Sequence, residues 1–389
     1  MKHIALLLFI SSSFFSCKDS IAPIPLPEPE IETEFLINTN TEGDQTNPQV
    51  AALDSGNFVV VWRSTNDDQN YLLKGQFFNY QGMKIGTEFY ITTEKSNYPH
   101  FKVTSILNGF YVQWKYYDDT HIYSLAFDAD GYRMGSIVAY DIGLRFDFNN
   151  VDTAMLTNNT IITICITWNY TFYLLIWDQT GQNLMHCKTI TPEPENYYDF
   201  PRVCGVNDSL ILVVWTHQEY PPMSNHNMHL KQQFFMIDGT PKGQPKIIMS
   251  YPPAVLSPEV IPMAAGYVVF WNSGFSQQLM AQYFNQDGDY RTDPTILKGG
   301  GGEHQIFRSG LNYFTVLSFG NDVILDEYRV GSGIGAAASF TLNALKTGFL
   351  SAGNGTKILD NRAVAVWYGA YADDYDIYGR IIEYYSYMY

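Results

Sequence analysis

Charge is scarce in this chain: 16% of its 389 residues are Asp, Glu, Lys or Arg, and no useful stretch shows the 3.6-residue apolar period of an amphipathic helix. A helical bundle is therefore not the expected fold. Basic residues are scarcer still, with 23 Lys and Arg against 39 Asp and Glu, a formal net charge of −16. No basic stripe is present to meet a phosphate backbone, which excludes a nucleic-acid partner. Cysteine is limited to four, with no Cys-x-x-Cys, so a zinc ribbon is not expected. Beyond Cys17 the remaining three, Cys165, Cys187 and Cys204, are an odd count and no disulfide framework. Cys165 reads as a small buried hydrophobe, and a single Cys187–Cys204 bridge stays open. Gly-x-Ser-x-Gly, His-Glu-x-x-His and phosphate-binding loops are missing too.

What is abundant is β-forming: 29 Tyr, 25 Phe, 7 Trp and many short Val/Ile runs, punctuated by 30 Gly and 18 Pro. The first 17 residues stand apart. Lys2 and His3 precede the apolar run Ile4–Ile10, small residues and Phe follow to Ser16, and then comes Cys17. The uncharged run is too short to span a bilayer. It reads as a targeting segment, to be set aside from the fold. Residues 18–33 alternate proline with other residues (Ala22-Pro-Ile-Pro-Leu-Pro-Glu-Pro-Glu30), the composition of an extended, semi-rigid tether.

From residue 34 to 389 one pattern recurs. Asn57-Phe-Val-Val-Val-Trp62 returns as runs ending at Trp114, Trp168, Trp215, Trp271, Leu317 and Trp367, at spacings of 46 to 56 residues. After each run an aromatic, an Asn or Asp and a Gly mark a hairpin, as in Phe77-Phe-Asn-Tyr-Gln-Gly82 and Tyr283-Phe-Asn-Gln-Asp-Gly288. Four antiparallel strands at a period near 50 residues define a propeller blade, and seven repeats predict an all-β, seven-bladed β-propeller. The last repeat stops before its fourth strand. Glu34-Phe-Leu-Ile-Asn-Thr39 matches the fourth-strand sequence Glu88-Phe-Tyr-Ile-Thr-Thr93, so the N-terminal strand is expected to complete the last blade and remove an exposed edge.

Two resemblances attach to these residues. The segment around Cys17 resembles a bacterial lipoprotein signal, which implies that Cys17 is the lipid-modified first residue of an exported protein at the cell envelope or surface, such as an outer membrane; ordinary secretion is the alternative. Asn38-Thr-Asn-Thr-Glu-Gly-Asp-Gln-Thr-Asn-Pro48, with Val50–Leu53 and Gly56–Trp62, resembles a repeat of large bacterial and ciliate surface proteins. That likeness covers about one and a half blades and implies fold and exposure without a transferable activity.

The second-to-third-strand connections are expected on one face of the ring. They carry Tyr116, Tyr117 and Asp118, Tyr220, and Tyr371 with Asp373. A Tyr/Asp rim suits sugars, since Tyr offers an apolar face with a hydroxyl, and its Asp pairs also suit Ca²⁺. The function expected is therefore recognition of a glycan or protein ligand, with no cofactor required and the membrane met only through the lipid. His217, His226 and His229 read as a solvated loop and not a metal site. The alternatives are a glycan-active enzyme of sialidase type, which needs Arg63, Arg202 and Arg308 to converge, and a purely structural surface repeat.

Overall fold

The seven apolar runs become the second strands of seven four-stranded antiparallel sheets. In the computed structural model the described residues are 33–65, 71–92, 99–116, 119–143, 145–190, 197–218, 228–251, 255–273, 277–298, 303–343, 350–370 and 374–383. Cys17, the tether and the rim residues Tyr117, Asp118, Tyr220, Tyr371 and Asp373 lie outside them. Strands are labelled A to D within each blade. Blade 1 is built from Gln45–Ala52, Phe58–Thr65, Tyr71–Phe78 and Lys84–Tyr90. Blades 2 to 6 occupy residues 100–141, 146–190, 197–251, 255–298 and 303–341. Blade 7 contributes Leu350–Leu359, Arg362–Ala370 and Tyr375–Glu383, and its outer strand is the N-terminal pair Phe35–Leu36. Phe35 stands opposite Gly379 and Leu36 opposite Tyr378. The protein is thus a seven-bladed β-propeller closed by its N-terminal strand, in agreement with the displaced fourth strand of the sequence.

The hairpins between strands C and D form at the aromatic–Asn/Asp–Gly segments. Gly82, Gly131, Gly181, Gly239 and Gly288 all adopt positive φ, from +66° to +88°. Only glycine takes that conformation without crowding its Cβ.

Strand B of every blade is buried on both faces, each face against a different neighbouring blade, and this sandwiching is the core. Phe58, Val60 and Trp62 pack toward blade 7, while Val59 and Val61 pack toward blade 2. Ring stacking across strands B and C recurs as Phe58–Phe78, Phe110–Phe127, Tyr267–Phe284 and Phe314–Tyr328, with centroids 4.8 to 5.3 Å apart. Trp62, Trp114, Trp215, Trp271 and Trp367 are all buried, four residues beyond the position that begins this stack. Trp62 donates its indole N–H to Gln45 Oε1 at 2.9 Å, which gives the Gly-Asp-Gln motif its structural role.

Strand pairing corrects two members of the repeat. Ile161 stands opposite Trp177 and Phe314 opposite Tyr328, so the positions equivalent to Trp62 are Cys165 and Ser318. Trp168 lies beyond the end of strand B, 65% exposed, and Leu317 faces the opposite side, toward blade 7. In blade 3 the buried Trp177 fills the gap to blade 2 beside Cys165. The open Cys187–Cys204 pairing is also settled: both are free thiols, Cys187 exposed on strand D of blade 3 and Cys204 buried in strand A of blade 4.

Candidate functional site: an aromatic cleft on the B–C face

The connection between strands B and C of blade 3 is a tight turn. Thr167 N donates to Thr171 O at 3.1 Å, Tyr170 N to Thr167 O at 2.8 Å and Thr171 N to Asn169 Oδ1 at 3.3 Å. Closing the turn in so few residues puts Tyr170 at φ +63° and leaves Trp168 and Tyr170 outside the sheet. The guanidinium of Arg145 lies 5.9 Å from the Trp168 ring centroid, a cation–π contact.

Strand A of blade 4 supplies the facing wall. Its residues alternate: Tyr198 turns inward onto Phe172 and Trp215, so Tyr197 and Asp199 turn to the other side. The strand then bulges, with register skipping from Asp199 to Arg202 and Phe200 at φ +48° ahead of Pro201. A left-handed φ at a bulky residue costs free energy and marks a place where the backbone is held against its preference. Phe200 N donates to Asp199 Oδ1 at 2.8 Å, and Thr216 Oγ1 donates to Asp199 O at 2.9 Å, fixing the bulge.

These elements enclose a cleft of about 320 Å³ lined by Tyr170, Tyr197, Asp199, Thr216, Gln218 and Met228. Tyr170 and Tyr197 meet edge to face, with centroids 4.6 Å apart and planes at 86°. Two perpendicular phenol rings, one carboxylate, one hydroxyl and one amide give the cleft apolar faces with hydrogen-bonding groups between them. That combination grips a ligand whose own surface alternates C–H faces and hydroxyls.

Inward from the cleft, one strand A position carries a polar residue in all seven blades: Gln49, Lys102, Asp152, Arg202, Glu259, Gln305 and Asn354. In blades 1, 4 and 5 it follows a proline and a residue of positive φ, namely Asn47, Phe200 and Ser257. Across blades 2 to 5 the charges alternate in sign. Arg202 Nε meets Glu259 Oε1 at 2.9 Å, and Asp152 Oδ2 accepts from Val203 N at 2.9 Å. Burial pushes the Asp152 carboxyl above its ordinary range, against the pull of Lys102 and Arg202. Burial works against the Arg202 charge, but Glu259, Asp152 and Asp199 together outweigh it and hold the guanidinium charged.

The residues singled out in the sequence fall in several places. Tyr116 is half-buried, tilted on Tyr123 at 5.1 Å and packed against the blade 1–2 core, away from the cleft. His217 and His229 are not loop residues. They stand opposite each other on strands B and C of blade 4, both buried, with ring centroids 5.9 Å apart, and His229 Nδ1 lies 2.8 Å from Ser250 Oγ. The three arginines do not converge. Arg63 is in blade 1, bonded to Thr46 and lying over Tyr71; Arg202 is in blade 4; Arg308 donates to Gly310 O in blade 6. Among the described residues no three His, Cys, Asp or Glu gather as metal ligands, and no helix is long and apolar enough to cross a membrane.

No protein-family model matches the chain, and no curated protein matches it. Solved propeller-like structures do. The polysaccharide lyase Uly1 is similar with a TM-score of 0.58 at 7% identity, over 91% of this chain and 99% of that one. A Dyadobacter fermentans protein of unknown function gives a TM-score of 0.54 at 13% identity, over 92% and 100%. The Hadza microbial sialidase Hz136 gives 0.45 at 10% identity, over 88% and 66%. At these identities the first two likenesses support the fold alone and leave the chemistry to this chain's own residues.

Proposed function

We propose that this protein is an exported, lipid-tethered propeller that binds a glycan in the cleft between blades 3 and 4. The observation that carries the reading is the perpendicular Tyr170–Tyr197 pair bordering a cavity that also presents Asp199, Thr216 and Gln218. A pyranose offers an apolar face to each ring and hydroxyls to the polar groups, and hydrogen bonds to a charged acceptor such as Asp199 are the stronger kind. The volume, about 320 Å³, is at the small end of ligand sites and fits a short stretch of sugar units. Cys17, outside the described residues, would hold the protein at the envelope through the proline-rich tether.

The test is a panel of oligosaccharides against protein beginning at Glu34, with wild type compared to Tyr170→Ala/Tyr197→Ala. Each aromatic contact is worth about 0.5–1.5 kcal/mol, so the double variant should bind roughly tenfold to a hundredfold more weakly. Undiminished binding by that variant would place the ligand elsewhere. The same panel, followed for cleavage products, tests the enzyme alternative. Among the described residues the cleft presents one carboxylate, Asp199, and most glycoside hydrolysis uses two flanking the bond, so a second would have to be identified for that alternative.

A further inference from the structure

We infer that Trp168 is a second sugar-stacking position beside the cleft, so that the ligand is an oligosaccharide extending from the cleft across the turn at residues 167–171; this rests on the glycan reading above. The chain has seven tryptophans. Six are buried, none more than 3% exposed, whereas Trp168 is 65% exposed. Single exposed aromatics are ordinary on protein surfaces, but three features distinguish this one.

The first is place. Trp168 stands two residues before Tyr170, which lines the cleft, so their backbones are no more than about 7 Å apart. The second is how the indole is held. Trp168 N donates to Arg145 O at 3.1 Å, and the Arg145 guanidinium lies 5.9 Å from the ring centroid. Arg145 therefore anchors the backbone and also backs one face of the ring, leaving the opposite face for a sugar to stack on. A ring positioned in advance gives up little side-chain entropy on binding.

The third is backbone strain. Among the described residues, the non-glycine positions at positive φ are Asn, Ser or Gln with two exceptions, Tyr170 at +63° and Phe200 at +48°. Those two belong to opposite walls of this cleft. Strain at bulky residues gathers where function requires the backbone to be held. At Tyr170 the strained turn is what carries both aromatics out of the sheet.

The cleft, about 320 Å³, holds a short stretch of sugar units, so a longer chain must leave it. A unit seated on Tyr170 or Tyr197 keeps the following units near Trp168 at high effective concentration. Each further stacking contact then raises affinity with chain length.

The experiment titrates glucan-, xylan- and mannan-derived ladders, from disaccharide to hexasaccharide, against wild type, Trp168→Ala and Trp168→Phe by calorimetry. Acrylamide quenching of tryptophan fluorescence is followed in wild type, where it reports chiefly on Trp168 because the other six indoles are buried. The expected result is an affinity that rises with length in wild type. Trp168→Ala should lose roughly threefold to tenfold on the longest members, with disaccharide binding unchanged and Trp168→Phe keeping most of the gain. Long members should shield the fluorescence from acrylamide and the disaccharide should not. Affinity independent of length in wild type, or Trp168→Ala matching wild type or losing equally at every length, would overturn the second position and leave the cleft reading standing. Binding of no member to wild type would remove the glycan reading itself, and the second position with it.

Discussion

Asn38 and Asp376 are 338 positions apart in the chain, and their side chains are 2.7 Å apart in the fold. Asn38 Nδ2 donates to Asp376 Oδ1, and Asn38 Oδ1 accepts from Ile377 N at 2.7 Å. The closing strand itself has only two paired residues, so this fully buried asparagine is the bolt of the ring. Beyond it the chain is pinned to strand D of blade 1: Lys84 Nζ reaches Asn38 O and Thr39 Oγ1, and Glu88 Oε1 accepts from Thr39 N and Asn40 N.

Asn38→Ala should therefore destabilise the whole propeller by about 1–3 kcal/mol, because the Asp376 carboxyl and the buried Ile377 amide lose their partner together. Deleting residues 34–39 should go further, leaving the edge of Tyr375–Glu383 unpaired and prone to aggregation. Thermal melts and light scattering check both. A deletion variant that melts like the intact ring would mean that closure does not depend on this strand.

The tryptophans divide by what they touch. Trp271→Ala opens a hole between blades 4 and 5 and should cost about 3–5 kcal/mol. Trp168→Ala, at an exposed turn, should change stability by no more than about 0.5 kcal/mol. Chemical denaturation of the two variants separates them. Equal losses would contradict the strand register of blade 3.

That contrast also shows what the sequence could and could not carry. The period near 50, the C–D turns with their glycines and the displaced last strand were all legible, because each depends on local residues repeated in order. The register of blades 3 and 6 was not. Aligning on tryptophan puts Trp168 and Leu317 where Cys165 and Ser318 belong, and in a strand an offset of one residue reverses the face. The triplets Pro48-Gln-Val50, Pro201-Arg-Val203 and Pro258-Glu-Val260 could have revealed the strand A position that is polar in every blade. The cleft was not legible: of the rim residues named from the sequence, Tyr116 packs against the blade 1–2 core and the other five lie outside the described residues. Its actual walls, a blade 3 turn and a bulged blade 4 strand, meet through packing between repeats that no single repeat displays.

Ser318 stands where five blades place tryptophan, and polar groups gather around it. His304 Nδ1 and Lys298 Nζ each lie 3.1 Å from Ser318 Oγ, and Lys298 Nζ lies 2.9 Å from Asp326 Oδ2. Burial lowers the His304 pKa, and Lys298 lowers it further against the opposing pull of Asp326. The unfolded chain therefore takes up this proton first, at about pH 6.5. Stability contributed by this site is complete above that pH and declines as pH falls from it toward the folded-state value. His304→Gln should flatten that part of the stability–pH curve. An unchanged curve from pH 7 to 5 would show that His304 plays no part in it.

If Cys17 carries lipid, Cys17→Ser should move the protein from the membrane fraction to the soluble one with the propeller still folded. Each buried acyl CH₂ is worth about 0.8 kcal/mol, and stable anchoring needs more than one chain. Mass spectrometry of the mature N-terminus decides the matter. An unmodified terminus, or cleavage at another site, would reduce the anchor to ordinary secretion.

The most direct measurement of the functional account is a crystal structure of the propeller with the tightest-binding oligosaccharide from the panel. The account predicts a sugar ring lying flat on Tyr170 or Tyr197, with a hydroxyl within hydrogen-bonding distance of the Asp199 carboxylate. A ligand seated on the opposite face, or between other blades with this cleft empty, would contradict it.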